Sequence, residues 1–139
     1  MKAAVGYSGK PLAVKLGHKP GARVLTLGVP AALRGSLAGK DVTLVAAKRA
    51  LPNGAFDASH IFVTERAKLA ALLPELMKRI VPHGMIWVSW PKKAAKMVTD
   101  ITEDTVRAVA LPLGLVDVKV CAVDEVWSGL KLVIRKERR

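Results

Sequence analysis

The chain has 139 residues, 51% of them hydrophobic, so one domain with a sizeable core is expected and extensive disorder is excluded. Lys and Arg total 23 against 11 acids, a net charge of +12 that suits nucleic acid, phosphorylated ligands or acidic partners. A single cysteine, Cys121, excludes an internal disulfide and a cysteine metal cluster, and no apolar run reaches membrane-spanning length.

In chain order, the opening "MKAAVGYSGKP" meets Gly, Ser and Pro too early for a signal peptide, which predicts a bacterial-type cytoplasmic protein. Ser8 reads as a turn residue, since no G-x-S-x-G elbow surrounds it. A short helix is predicted from Pro11 to about Leu16, with Gly17 just past its end. "ARVLTLG" is a short apolar run between turns and predicts a buried first strand. "PAALRGSL" predicts one or two helical turns, kept short by Gly35 and Gly39. "DVTLVAA" is a second strand, Pro52-Asn53-Gly54 a turn, and "DASHIFVT" a third strand.

The clearest helix follows. Leu69, Leu72, Leu73, Leu76, Met77 and Ile80 recur at helical spacing, Thr64 is the expected N-cap, and Pro74 predicts a kink or break. "VPHG" is read as the end of that helix and "MIWVSW" as a fourth strand. Thr102 is placed to cap a last helix with apolar face Val106, Val109, Ala110 and Leu113, closed by Pro112 and Gly114. "VDVKVCAV" and "LKLVIRK" alternate and predict an antiparallel hairpin around a Ser-Gly turn. The whole predicts one α/β domain over 1–139: three layers, with a mostly parallel sheet and right-handed crossovers.

Several stretches carry a resemblance. "LGHKPGARVLTLG", "MKRIVPHGMIWVSW" and "TEDTVRAVALPLGLVDVKVCAVDEVWSGLKLVIRK" resemble the entry, a later helix–strand unit and the closing helix and hairpin of the class I methyltransferase fold. "GYSGKPLAVKLG", "FVTERAKL", "WVSWPKKA" and "CAVDEVWSGLKLV" resemble more specifically a family of short bacterial proteins of unknown function. The resemblance implies a Rossmann-like, methyltransferase-like fold without an assigned activity. It is truncated internally: residues 48–56 are too few for the helix and strand expected there.

The resemblance also implies what is missing. A methyltransferase carries an acid in the first strand, where this chain has Thr26. Gly28 is kept, but Val29-Pro30 stiffens the loop after it and removes a donor. The second strand normally ends in an acid that holds the ribose, where this chain has Ala46-Ala47-Lys48. A lysine cannot accept those hydrogen bonds. No cofactor is therefore expected, neither S-adenosylmethionine in the standard manner nor NAD(P).

Ligands of open α/β sheets sit beyond the carboxyl ends of the strands. That edge is expected to hold Gly28 to Pro30, Lys48-Arg49, Thr64 to Arg66 and Trp90 to Lys93. The hairpin turn adds Asp124, Glu125, Trp127 and Ser128. The predicted ligand or partner rim is thus Thr64, Arg66, Trp90, Lys92, Lys93, Asp124, Glu125, Trp127 and Ser128. Lysines would meet an anion, a carboxylate would orient or accept a proton, and tryptophan would stack. The alternative is structural: Lys92 or Lys93 forms a salt bridge with Asp124 or Glu125, and the tryptophans pack. His18, His60 and His83 show no ligand spacing, so no metal site is expected. His60 reads as a packed, hydrogen-bonded residue, and Cys121 as a half-buried one.

These features favour a non-catalytic methyltransferase-like domain that binds a small anionic ligand or a protein at the strand edge. A divergent transferase acting on a phosphorylated or nucleotide-like molecule through Lys48, Arg49, Lys92 and Lys93 is the second reading. A nonspecific nucleic-acid binder is the third, and an oligomer joined at the sheet edge is compatible with each. No membrane partner is expected, and no catalytic residue is identified.

Overall fold

The computed structural model describes residues 11–39, 41–46 and 51–139. Lys48 and Arg49, and Ser8 in the first turn, lie outside them. The described chain forms α1 (Leu12–Lys15), β1 (Arg23–Leu27), α2 (Arg34–Ala38), β2 (Thr43–Ala46), β3 (Phe56–Phe62) and α3 (Arg66–Arg79). It continues with β4 (Ile80–Pro91), α4 (Glu103–Ala110), β5 (Leu115–Ala122) and β6 (Trp127–Ile134).

One sheet takes the order β2-β1-β3-β4-β6-β5. β2, β1, β3 and β4 are parallel neighbours, and β6 runs antiparallel to both β4 and β5. β5 therefore runs in the same direction as β4, as a crossover through α4 requires. β2 is the sheet edge, so the unit that would extend the sheet after it is missing.

Alternation along the strands divides the core. Leu25, Ile61, Ile86, Val88, Leu130 and Leu132 face α3 and α4, and meet Leu69, Leu73 and Val106 there. Phe62, Trp87 and Cys121 face the other way, against Leu16, Leu33 and Leu37 from the α1 and α2 side. The sheet thus lies between two helical layers, the three-layer α/β architecture expected. Cys121 is 6% exposed, more buried than its alternating strand suggested, because this second layer covers it.

Three local expectations change. Pro74 does not break α3, which runs unbroken past it. Leu73 and Leu76 on either side are buried, and their packing outweighs one lost backbone bond. "VPHG" is not a turn between elements: β4 begins at Ile80, and the extra residues form a bulge, since Phe56 pairs with Ile80 and Ala58 with Met85. The hairpin turn comes before Ser128-Gly129, because β6 already begins at Trp127.

Thr102 caps α4 as expected, with its Oγ1 accepting from the Thr105 N–H and Thr105 answering at the Thr102 N–H. Thr64 does not cap α3. The first-turn acceptor is the carboxylate of Asp100, which takes the Arg66 N–H at 2.6 Å. Thr64 instead offers its carbonyl to Thr99 Oγ1 at 2.7 Å and to the Asp100 N–H at 3.2 Å. The loop after β4 therefore doubles back onto the end of β3.

Candidate functional site

β3 and β4 end side by side, and Pro91 pairs with Trp127 at the last rung of the sheet. This brings "WPKK" and "DEVWSG" to the same edge although some thirty residues separate them. The Lys92 N–H donates to the Val126 carbonyl at 2.7 Å, and Lys92 Nζ donates to the Asp124 carbonyl at 2.6 Å. The Asp124 carboxylate accepts from the N–H groups of Val126 and Trp127 at 2.8 and 2.7 Å. So the segments meet, but the expected salt bridge is not formed. A four-residue turn leaves two N–H groups pointing inward, and the Asp124 side chain is the nearest acceptor. Lys92 is left with the carbonyl.

The two rim tryptophans do not form one stacking surface. Trp90 is 6% exposed and belongs to the core on the α3 and α4 side. Trp127 lies on the opposite face, edge-on to Phe62 with centroids 5.2 Å apart. Successive residues of a strand alternate faces, and Trp90 pairs with Ser128 while Pro91 pairs with Trp127. The sheet itself separates the two rings. Arg66, Lys93 and Glu125 are exposed at this edge, and Thr64, Lys92, Asp124, Trp127 and Ser128 are half-buried. Among the described residues, no ion pair involves Arg66, Lys93 or Glu125.

The loop after β1 is also accounted for. Gly28 has φ +72°, and a Cβ there would lie 2.7 Å from the Phe62 carbonyl oxygen. The glycine lets the loop rest on the end of β3. Thr26 is buried, and its hydroxyl donates to the Val45 carbonyl at 3.3 Å. It ties two strands together where an acid would carry a charge.

Two histidines lie inside the molecule, His60 as its strand position predicts and His18 against the expectation of its turn. His60 Nε2 and Ser89 Oγ share a hydrogen bond of 2.7 Å, and the ring stacks on Phe62 at 4.5 Å. Burial, with the nearby His18 adding to it, lowers its pKa to about 3. His18 is lowered to about 4, by burial first and then by the charge of Lys131. The Nδ1 atoms of both are buried without a partner. The turn composition around His18 gave no sign that its ring would be inside. Among the described residues, no group of His, Cys, Asp or Glu is arranged to hold a metal, and no helix is long and apolar enough to cross a membrane.

The strand order, the crossovers and the closing hairpin define a class I methyltransferase-like fold with one unit missing. Among solved structures, a SAM-dependent methyltransferase from Aquifex aeolicus matches with a TM-score of 0.63 at 15% identity, over 88% of this chain and 88% of that one. Magnesium protoporphyrin IX methyltransferase from Synechocystis PCC 6803, solved with bound SAH, matches at 0.58 and 14% identity, over 87% and 77%. An S-adenosylmethionine-dependent methyltransferase from Mesorhizobium loti matches at 0.57 and 13%, over 87% and 94%. No protein-family model and no curated protein matches the sequence. At these identities the likeness is one of fold.

Proposed function

We propose that this methyltransferase-like domain does not take S-adenosylmethionine in the standard way. We propose further that it acts as a binding module, offering the carboxyl edge of its sheet to a small anionic ligand or an acidic protein surface. The observation that carries this reading is the use of the edge groups within the fold itself. Thr26 is spent on Val45, Gly28 on Phe62, and the Asp124 carboxylate on its own turn. The groups left facing solvent at that edge include the cations of Arg66 and Lys93. Beside the exposed carboxylate of Glu125, these two cations favour an anion.

Calorimetry with S-adenosylmethionine tests the first half. No saturable binding is expected, and a one-site affinity in the low micromolar range would overturn it. A thermal-shift screen of nucleotides and phosphorylated metabolites tests the second, because a ligand that binds only the folded state raises its stability. A stabilising compound whose effect disappears in Lys93→Ala or Arg66→Gln supports the edge site. Stabilisation unchanged in both variants refutes it.

A further inference from the structure

At the opposite end of the parallel strands the structure forms a cavity of about 500 Å³ that opens to solvent, a volume in the range of small-molecule sites. Two irregularities build it. The loop from Gly17 to Gly21 crosses the amino ends of the strands, with φ +83° and +89° at its two glycines. The bulge of β4 lies opposite, and Gly84 is held so close to β3 that a Cβ would stand 2.6 Å from the Asp57 carbonyl oxygen. Bulges of this kind commonly re-aim side chains beside functional sites.

The walls have two kinds of chemistry. Lys19, His83 and Lys131 bring polar and cationic groups, and Met85 and Val133 an apolar surface. Among the described residues none of Lys19, His83 and Lys131 is paired with a carboxylate. The one acid in the wall, Asp57, has its Oδ2 accepting the Arg23 N–H at 2.8 Å. His18 also borders the cavity; it is 6% exposed, and its unpartnered Nδ1 is itself buried. Among the described residues the wall therefore carries two lysines against the single carboxylate of Asp57, together with an apolar lining.

We infer that this cavity binds a small organic anion, its carboxylate or phosphate head among Lys19, His83 and Lys131 and its apolar body against Met85 and Val133. A head group there meets Lys19 and Lys131, neither of which is in an ion pair among the described residues, so the interaction is charge-assisted. The site is separate from the carboxyl edge and stands or falls independently of it.

Benzoate, phenyl phosphate and uncharged benzyl alcohol share one ring and differ in the head. Calorimetry at low ionic strength, with the full chain, should show saturable one-site binding of benzoate or phenyl phosphate, and the better of the two identifies the head. Lys131→Gln should weaken it at least tenfold, as should His83→Gln, an exposed position where folding is not at stake. Lys68→Gln, exposed on α3 and outside both sites, should leave it unchanged. The ring NMR signals of His18 and His83 should move on titration. Absence of saturation by both anions overturns the inference. So do equal binding of benzyl alcohol, indifference to both substitutions, and histidine signals that stay still.

Discussion

Lys92 holds Asp124 by its backbone and not by its charge: Nζ lies 2.6 Å from the carbonyl oxygen, while the carboxylate faces the turn that it closes. Two side chains that look like an ion pair in the sequence thus perform separate tasks a few ångströms apart. Their energetic independence can be measured. Asp124→Ala should destabilise by roughly 1–3 kcal/mol, since two N–H groups lose a charged acceptor. Lys92→Met should cost about 1 kcal/mol. The double variant should be additive to within about 0.5 kcal/mol in denaturant unfolding. A coupling above about 1 kcal/mol would show that the carboxylate and ammonium act as a pair.

Asp100 supplies the cap of α3 from across the sheet edge, 34 residues from Arg66. Asp100→Ala should lower stability by about 1 kcal/mol, the usual value of a lost N-cap acceptor. Asp100→Asn keeps an acceptor and should lose only a few tenths. Equal losses for the two would mean that charge at the helix end, and not the hydrogen bond, is the larger effect.

The buried histidines make stability depend on acid. Both pKa values are depressed in the folded state, from 6.5 to about 4 for His18 and about 3 for His60. The unfolded chain therefore binds more protons below pH 6.5. Stability is fully retained above that pH and is lost as the pH falls toward 3–4. At about 1.4 kcal/mol per pH unit and group, the loss is on the order of several kcal/mol. Urea unfolding between pH 7.5 and 4.5 should show the decline, and His60→Leu should flatten it. A pH-independent midpoint over this range would contradict the burial of both rings.

Gly28 sits against the Phe62 carbonyl with a positive φ. Gly28→Ala should cost roughly 1–3 kcal/mol from backbone strain and the close approach. Denaturant midpoints for the variant and the parent decide this. An unchanged midpoint would mean that the loop is free to move away from β3.

The architecture was legible in the sequence because it rests on periodicity. The alternation of β5 and β6, the spacing of Leu69, Leu73 and Leu76, and Thr102 ahead of two acids are local signals, and each led to the right element. What stayed hidden involved partners distant in the chain. Thr64 looks like a cap because nothing local reveals Asp100 returning to take that role. Trp90 and Trp127 look like neighbours because the edge is right, but the register places one on each face of the sheet. The β4 bulge has the composition of a turn. The cavity beneath it needs that bulge and the Gly17–Gly21 loop together, and neither implies the other.

The four residues of α1 are too few to hold a helix by themselves. They are fixed from outside: the Trp87 indole donates to the Leu16 carbonyl at 2.9 Å, Lys15 Nζ donates to the Ala122 carbonyl at 3.0 Å, and Lys119 reaches the Lys15 carbonyl at 3.4 Å. Two of these three ties come from β5. During synthesis the α1 segment leaves the ribosome about a hundred residues ahead of the strand that secures it, so this corner of the fold closes late, and with it the loop that bounds the cavity. Contacts of such long sequence separation slow folding. A chain ending before β5 would lose two of the three ties that hold α1, along with its final hairpin.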